Sequence, residues 1–407
     1  MHLLIFDPHD RGHYLAYVRY LLAGAKDADR VTLVLRRGAR ESEPFQQQLA
    51  SAANGVEVDA AIGPESYRDG QQLQQDFDAA VRRHAPDHIW VPSGDLLARR
   101  CNLARLTQRR RFARQIEAEC GLIEVRFHHP PRRWRGHLRH AFDRLVLGAG
   151  AWTRLQTIDP TLFSWARARG GRFGQSLHLV PDPIDDVTPI DKAAARRALG
   201  IPEEGRYVVS AGVHAVPRKG SELLLEAFVR AGLGRSDRLL LAGPLGDRLK
   251  QRLASDYAGQ SRSGAVVSLD RYLDHRELMT ALAAADVVCT PYFDHLGSSA
   301  IVLQAAQAGR PVLAPKQGWF AEMIPRFGLG EVGHILEAEG LASAIRSAIE
   351  RAHDFRKSAA ACRLLEYSDS RNFARLWASR LRQRKGLPID PQTRDWNWVV
   401  RSADAAA

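Results

Sequence analysis

Residues 286–315 read DVVCTPYFDHLGSSAIVLQAAQAGRPVLAP, and their pattern decides the fold. A short apolar run ends at Pro291, a polar loop follows, and residues 300–308 are predicted to form a buried helix that Gly309 ends. Residues 311–314 form a second apolar run. This order of strand, loop, helix, turn and strand is typical of a parallel α/β sheet, in which ligands bind beyond the carboxyl ends of the strands.

The loop before this predicted helix contains Gly297, Ser298 and Ser299. A helix start presents backbone N–H groups without helical partners and the positive end of the helix dipole, and both suit a phosphate group. The Gly-Ser-Ser sequence therefore predicts one half of a nucleotide-diphosphate site.

A second loop of this kind, GVHAVPRKG, spans residues 212–220 between a predicted strand and a predicted helix. Arg218 and Lys219 stand beside Gly220, and a pair of cations at a helix start, with a glycine for close approach, can neutralise a pyrophosphate. A charged turn without a ligand is the alternative interpretation. The presence of two phosphate-type loops favours the binding site.

Alternating strands and helices extend over the rest of the chain and predict parallel sheets covered by helices. A basic helix is predicted over residues 96–120. Predicted strands in the first half span residues 3–6, 31–35, 55–61, 87–92, 123–127, 143–147 and 177–180.

The stretch 181–202 is rich in proline and charge, which indicates a linker. We therefore expect an α/β protein with two Rossmann-like domains, residues 1–183 and 184–372. The basic helical segment 373–407 is expected to pack back on the body, because an exposed tail carrying Trp396 and Trp398 would be costly.

Composition places the chain among ordinary globular proteins, with 407 residues, 45% hydrophobic and 26% charged. Its four cysteines form no CxxC pair, and Cys289 and Cys362 occur in apolar stretches, so we expect buried free thiols in a reducing compartment. No secretory leader is recognisable and no apolar run approaches about 20 residues. The sequence thus predicts a cytoplasmic protein without a membrane span.

The chain carries 58 Lys+Arg against 46 Asp+Glu, a net charge of +12, and arginine is concentrated in residues 99–144. Such a surface favours anionic partners, although a merely solvated face is an equal alternative. Nucleic acid is not expected, because aromatic stacking residues are not interleaved with these arginines. An anionic acceptor, or peripheral contact with the inner face of an anionic membrane, remains as a hypothesis.

Polar residues also follow the predicted strands of the first half: Gly12 with His13, then Asp95, then the pair His128 and His129. A histidine at a strand end can hydrogen-bond a hydroxyl or exchange a proton near neutral pH. The histidine pair precedes two prolines, so a rigid turn with surface imidazoles is the alternative. His13 and Asp95 equally suit a loop that starts a helix.

Several familiar motifs are missing from the sequence. It has neither a GxxxxGK[ST] phosphate loop nor a convincing GxGxxG. The motifs that usually indicate an ATPase or a nicotinamide-dependent enzyme are therefore missing. No spacing such as HExxH indicates a metal, and we expect none.

The pattern resembles the GT-B glycosyltransferases, most closely the retaining family four, and most clearly over residues 207–336. The resemblance implies two Rossmann-like domains facing a cleft, with the nucleotide-sugar donor held mainly by the second domain. It also implies that no metal or other cofactor is needed, because protein cations and helix dipoles neutralise the diphosphate leaving group.

By this resemblance the chain is a hexosyltransferase-like enzyme of polysaccharide or glycoconjugate biosynthesis. It would move a sugar from a nucleotide-diphosphate sugar to a hydroxyl of a sugar, lipid-linked or polymer acceptor. Lys219 matches the family lysine that contacts the diphosphate, and Gly297 matches the first glycine of the donor loop. Gly12 resembles a first-domain glycine near the phosphates, and His128 or His129 resembles the acceptor-side histidine.

Three positions depart from the family pattern. Val213 stands where the family has an arginine, and Leu296 and Gln304 stand where it has two glutamates. Gln304 can still hydrogen-bond a ribose hydroxyl, more weakly than an anion would, and His295 is a candidate for a polar contact with the donor. The alternatives are therefore a transferase with an altered donor site and a catalytically degenerate GT-B-like binding or scaffold protein.

Overall fold

The computed structural model describes residues 1–9, 13–63, 69–108, 116–130, 134–188 and 190–400. The chain divides into two compact units. The first combines Met1–Pro183 with Tyr367–Arg401, and the second is Ile184–Glu366. Each unit contains one parallel sheet with helices packed against it.

The sheet of the first unit has seven strands within the described ranges, in the spatial order β3-β2-β1-β4-β5-β6-β7. These strands are β1 (His2–Phe6), β2 (Arg30–Arg36), β3 (Glu57–Ile62), β4 (His88–Val91), β5 (Glu117–Leu122), β6 (Arg154–Thr157) and β7 (Leu177–Leu179). The helices of this part of the chain are α1 (His13–Gly24), α2 (Glu43–Gln48), α3 (Gly70–His84), α4 (Asp95–Gln108), α5 (Trp134–Leu147), α6 (Pro160–Arg169) and α7 (Gly171–Ser176).

The sheet of the second unit has the order β10-β9-β8-β11-β12-β13. Its strands are β8 (Tyr207–Ala211), β9 (Arg238–Ala242), β10 (Val266–Leu269), β11 (Val287–Cys289), β12 (Val312–Pro315) and β13 (Gly330–Gly333). The helices that follow in the chain are α8 (Lys192–Ala198), α9 (Ser221–Arg230), α10 (Asp247–Ala254), α11 (Ala258–Arg262), α12 (His275–Ala283), α13 (Ala300–Gln307), α14 (Gly318–Phe327), α15 (Ala338–Arg351), α16 (Ala359–Tyr367) and α17 (Ser370–Arg384).

Both sheets are doubly wound, and the chain reverses its direction of travel across each sheet at one place. In the first unit this place lies between β1 and β4, and in the second it lies between β8 and β11. Connections leave such neighbouring strands toward opposite faces, which opens a crevice at their carboxyl ends. The predicted phosphate loops at residues 212–220 and 292–299 follow β8 and β11, so the topology brings them together.

An ion-pair network joins the second sheet to α8. The carboxylate of Asp286, just before β11, lies 2.7 Å from Lys192 Nζ and 2.7 Å from an Arg196 guanidinium nitrogen. It also accepts a hydrogen bond of 2.7 Å from the Tyr207 backbone N–H at the start of β8. The Arg196 side chain is only 3% exposed, so this network fixes three elements in the interior.

The end of the chain returns to the first unit, where α17 packs on α1. Phe373 and Trp377 are buried, and the Trp377 ring meets Trp90 of β4 edge to face at 6.0 Å between centroids. Trp396 and Trp398 are 3% and 4% exposed. The sequence placed the start of this segment at residue 373, whereas α17 begins at Ser370 and the first unit resumes at Tyr367.

The structure corrects the sequence analysis in the middle of the first unit. The predicted helix 96–120 is described as far as Gln108, its last predicted residues belong to β5, and β5 (Glu117–Leu122) takes the place of the predicted strand at 123–127. Glu119 obscured this strand, because its buried carboxylate is satisfied by His88 of β4 and Gln156 of β6, both at 2.8 Å, which no local pattern reveals. The predicted strand 143–147 is the last turn of α5.

Two smaller corrections concern the second unit. The sequence predicts a strand over residues 333–336, whereas β13 spans Gly330–Gly333, and α14 was not predicted at all. Cys362, expected to be buried, is exposed on α16. None of the helices in the described ranges is both long and apolar enough to cross a bilayer.

Candidate functional site

The two loops at the crevice of the second sheet are joined by three contacts. The Phe293 N–H donates to the Arg218 carbonyl oxygen at 2.8 Å, which ties the backbones together. Lys219 Nζ donates to Tyr292 Oη at 2.9 Å and lies 4.0 Å from the centre of that ring. An Arg218 guanidinium nitrogen lies 2.6 Å from His295 Nδ1. The loops therefore form one basic surface at the carboxyl ends of β8 and β11.

Glycines allow this close approach. Gly220 precedes α9 with a φ of +67°, and a β-carbon there would lie 2.2 Å from the Pro291 carbonyl oxygen, so only glycine fits. A β-carbon at Gly212, whose φ is +113°, would lie 3.4 Å from Lys219 Nζ. The missing side chain at Gly212 leaves space beside the ammonium group.

The start of α13 forms the other side of this surface. Ser299 precedes the helix in extended conformation and makes no side-chain hydrogen bond to its first N–H groups. His295 Nε2 lies 3.0 Å from the Ser298 carbonyl oxygen, which braces the loop around Gly297. On the second turn, the Gln304 side-chain oxygen is buried and has no hydrogen-bond partner among the described residues. The N–H groups at the helix start can donate hydrogen bonds to a polar ligand, and the Gln304 side-chain oxygen can accept one from it.

His214 belongs to the same loop and was not singled out from the sequence. Its Nδ1 lies 2.7 Å from Ser221 Oγ at the start of α9, and its Nε2 is buried without a partner among the described residues. Burial, with the nearby Lys219 ammonium as the next cause, lowers the pKa of His214 to about 4. The signal was its position, three residues after β8, at the carboxyl edge of the sheet.

Acidification is expected to destabilise the protein through His214. The unfolded chain has a histidine pKa of about 6.5, so between about pH 6.5 and pH 4 it binds a proton that the folded protein does not bind. The free energy of unfolding therefore falls as the pH is lowered through this window. We expect His214→Asn to lose less stability than the wild type between about pH 7.5 and pH 5 in urea unfolding.

The pKa values of His129 and His178 are also lowered to about 4, so the variant should retain part of the pH dependence. An unchanged loss of stability in His214→Asn would contradict this assignment.

The first unit brings His128 and His129, after β5, close to the end of β6. His128 Nε2 lies 2.9 Å from Thr161 Oγ1 and 3.3 Å from Asp159 Oδ2, and the two imidazole rings are 3.9 Å apart. Burial lowers the pKa of His129 to about 4, with His128 as the next cause, so this ring is neutral near pH 7. Neutral imidazoles can accept a proton from a hydroxyl group or hydrogen-bond it.

These residues also meet the geometric demand for a metal ion. One ligand atom each from His128, His129 and Asp159 lies within 4.8 Å of the others. Sequence spacing did not indicate this group, because its members come from the ends of two different strands. Asp159 also caps α6 by accepting the Thr161 N–H at 2.8 Å, which is enough to explain its burial without a metal.

Asp95 holds two elements together. It opens α4, and its carboxylate accepts the N–H groups of Ile123 at 3.0 Å and Glu124 at 2.9 Å, which fastens the exit of β5 to that helix. Desolvation raises its pKa to about 6. Through these hydrogen bonds Asp95 positions the loop that leads from β5 to His128.

Of the two predicted residues after β1, Gly12 lies outside the described residues, and His13 is described only as the first residue of α1. The structure instead brings out two residues that the sequence analysis missed. His9 Nδ1 lies 2.7 Å from Asp7 Oδ1, and its ring stacks on Tyr14 at 3.9 Å. Burial alone would lower the pKa of His9, but the Asp7 carboxylate outweighs it and the pKa is raised.

The fold is shared with solved glycosyltransferases. The HepE protein of Anabaena, solved with UDP and with UDP-glucose, covers 94% of this chain and is itself covered completely, with a TM-score of 0.66 and 19% identity in the UDP complex. Sucrose-phosphate synthase from Thermosynechococcus elongatus covers 95% of this chain and is covered over 99% of its own, with a TM-score of 0.70 and 17% identity. The chain thus has the GT-B fold.

Sequence comparison finds more similar proteins for the second unit than the structural comparison does. Residues 205–352 match the family described as "Glycosyl transferases group 1". A GDP-mannose-dependent monoacylated alpha-(1-6)-phosphatidylinositol monomannoside mannosyltransferase of Corynebacterium glutamicum is 32% identical over 152 residues, 35% of this chain. A phosphatidyl-myo-inositol mannosyltransferase of Mycolicibacterium smegmatis is 29% identical over 152 residues, 37% of this chain. The matched segments span 38% of either relative.

The predicted two-domain GT-B architecture is therefore confirmed, and the chain resembles the family-four glycosyltransferases over its second unit.

Proposed function

We propose that this protein is a glycosyltransferase that moves a sugar from a nucleotide-diphosphate sugar to a hydroxyl acceptor. The observation that carries the proposal is the joined pair of loops after β8 and β11. They combine Lys219 and Arg218 with the start of α13 at the crevice of the sheet. The same segment lies within the part of the chain that matches the group 1 glycosyltransferases.

In this proposal the second unit binds the donor. Lys219 and Arg218 neutralise the diphosphate, and the N–H groups at Gly297, Ser298 and Ser299 hydrogen-bond its oxygens. Electrostatic stabilisation matters most in the transition state, when the departing diphosphate gains charge. The residues are already braced by their contacts with Tyr292 and His295, so little reorganisation is needed.

Gln304 is the proposed ligand of a ribose hydroxyl, because its buried side-chain oxygen has no partner among the described residues. His295 takes the role of a polar contact with the donor. Val213 stands where the resembled family has an arginine. It is 42% exposed and uncharged, so this position adds no cation to the basic surface. Lys219 and Arg218 therefore supply the side-chain cations of this loop.

The first unit supplies the acceptor-side groups. His128 or His129 is the proposed catalytic contact, as an imidazole that hydrogen-bonds the acceptor hydroxyl or the sugar, and Gly12, His13 and Asp95 are the proposed neighbours. The acceptor is a sugar, a lipid-linked sugar or a polymer, and peripheral contact with an anionic membrane is part of the proposal. The relatives are named for phosphatidylinositol acceptors, so a glycolipid is the first acceptor class to test.

Donor binding tests the proposal directly. We expect calorimetry with UDP-, GDP-, ADP- and CMP-sugars to show binding of one nucleotide class, with GDP-mannose as the first donor because one relative depends on it. Binding and transfer should survive a chelator, because the proposed phosphate contacts come from protein cations and backbone amides. Absence of binding by every nucleotide sugar would favour a non-catalytic scaffold. Loss of transfer in the chelator would instead assign a metal to His128, His129 and Asp159.

A further inference from the structure

Two buried ring nitrogens of the first unit have no hydrogen-bond partner in the described part of the chain. They are Nδ1 of His128 and Nε2 of His129, and the two rings lie side by side after β5, with 3.9 Å between their centroids. The His128 side chain is only 3% exposed. Buried polar atoms in proteins are nearly always satisfied, so two such nitrogens on neighbouring rings indicate a ligand that binds both.

The surrounding hydrogen bonds fix the tautomer of His128. Thr161 Oγ1 donates its only proton to Asp159 Oδ1 at 2.7 Å, so the same oxygen accepts from His128 Nε2 at 2.9 Å. Asp159 Oδ2 lies 3.3 Å from Nε2 and attracts the N–H to the same nitrogen. In the neutral ring Nδ1 therefore carries the lone pair, and it is the atom that can coordinate a metal ion.

This arrangement is that of a metal-binding histidine with a carboxylate behind it. A histidine ligand commonly donates its other ring N–H to a carboxylate, which orients the ring and makes it a better ligand. Asp159 has this position behind His128, is 3% exposed, and is itself held by the Thr161 N–H at 2.8 Å. One ligand atom each from His128, His129 and Asp159 lies within 4.8 Å of the others. The three side chains therefore occupy the small volume that a metal site requires.

We propose that His128 and His129 bind a transition-metal dication of the zinc class, and that Asp159 orients His128 for this role. Imidazole nitrogens suit Zn²⁺, Cu²⁺ and Ni²⁺, whereas Mg²⁺ and Ca²⁺ prefer oxygen ligands. His128 Nδ1 and His129 Nε2 are the protein ligands, and water completes the coordination. Structural zinc sites use four protein ligands, so a site of this composition holds an exchangeable ion.

The bound ion has a consequence for the proposed transferase. It occupies the imidazole nitrogens that the proposed function assigns to the acceptor. We therefore expect Zn²⁺ to inhibit sugar transfer in competition with the acceptor, and a chelator to restore the activity. This consequence rests on the proposed function, whereas the binding of the metal does not.

Calorimetric titration of the full chain with zinc chloride, after dialysis against a chelator, tests the binding. We expect the wild type to bind Zn²⁺ but not Mg²⁺, and zinc to raise the Tm because it binds the folded state. His129→Gln should abolish this binding. Asp159→Asn should weaken it by about 10–100-fold, the usual cost of losing a carboxylate behind a histidine ligand. Asparagine still caps α6, so this variant is expected to fold.

The matched control removes another pair of histidines, His137→Gln with His140→Gln, which lie three residues apart on α5. Cys362→Ser is a second control, because Cys362 is an exposed thiol that can bind zinc. Both controls should retain the zinc binding that His129→Gln loses. Absence of zinc binding in the wild type, equal binding in His129→Gln, or its loss in either control would overturn the proposal. If circular dichroism shows that His129→Gln is misfolded, Asp159→Asn decides, and wild-type zinc affinity in that variant would reject the site.

The outcomes also separate this inference from the proposed function. Zinc binding at the histidine pair in a protein that binds no nucleotide sugar would retain the metal site and reject the transferase. Nucleotide-sugar binding and transfer without zinc binding would do the reverse. Zinc that binds at the pair without slowing transfer would retain the metal site and remove these histidines from the acceptor contact.

Discussion

Lys219→Ala is expected to lower the rate of sugar transfer by about 10²–10³-fold, the usual cost of removing one donor group that stabilises transition-state charge. Lys219 is the ammonium group that the structure fixes beside Gly212, through its hydrogen bond to Tyr292. No other cation in the joined loops has this position, because Arg218 is turned toward His295. The loss should appear mainly in kcat if the charge contact strengthens as the diphosphate leaves.

Stability should change little in this variant. Lys219 is partly exposed and makes its contact at the surface, where such interactions contribute about 1 kcal/mol or less. Lys219→Arg keeps the charge but changes its geometry, so we expect intermediate activity. Lys250→Ala is a matched control, because Lys250 is another lysine of the second unit and it pairs with Asp270 instead of with the two loops. Near-normal transfer by Lys219→Ala would show that the diphosphate lies elsewhere.

The largest effect on stability is expected for Asp286→Ala, which should lower the free energy of unfolding by about 3–5 kcal/mol. The substitution leaves the buried Arg196 guanidinium without its carboxylate and removes the acceptor of the Tyr207 N–H. An uncompensated buried charge costs more than the pair itself contributes, because its hydration is lost without replacement. Urea unfolding of the full chain, followed by circular dichroism, measures the change.

Two variants separate the buried charge from other causes. Asp286→Asn can still accept the Tyr207 N–H but removes the negative charge, so an intermediate loss is expected. Glu203→Ala breaks the exposed pair between Glu203 and Arg197 on the same helix as Arg196, and should cost about 0–1 kcal/mol. Similar losses of unfolding free energy for Asp286→Ala and Glu203→Ala would show that the buried Asp286 network contributes no more to stability than an exposed ion pair.

The two loops of the proposed donor side are recognisable from local sequence. The loops at 212–220 and 292–299 combine a glycine, basic or small polar residues and a following helix, and each of these features acts over a few residues. Lys219 and Gly297 could therefore be proposed as donor contacts by position. Their partners could not, because Tyr292 meets Lys219 across 73 residues of chain and only the adjacency of β8 and β11 brings them together.

The first unit was harder to predict because its key polar residues are satisfied at long range. The charged residue Glu119 interrupts the apolar pattern expected of a buried strand, so β5 was not predicted. In the sheet its carboxylate is hydrogen-bonded by His88 and Gln156 of the neighbouring strands. Asp159 was missed because β6 itself was missed, and so its place next to His128 could not be foreseen. Asp95 was expected on the acceptor side, but its hydrogen bonds to the exit of β5 explain its position first.

The sequence by itself determined the fold class, since continuous apolar runs alternating with helices permit few arrangements other than parallel, helix-covered sheets. It also determined the stretch 286–315 as the most informative part, with Gly-Ser-Ser before a buried helix. Only the tertiary structure decided that Asp286 is a buried anchor, that the His214 ring is buried against Ser221, and that α5 exposes four large apolar side chains. The physical reason is that apolar periodicity is a local property, whereas the pairing of buried charges and the exposure of a helix face depend on neighbours that are distant in the chain.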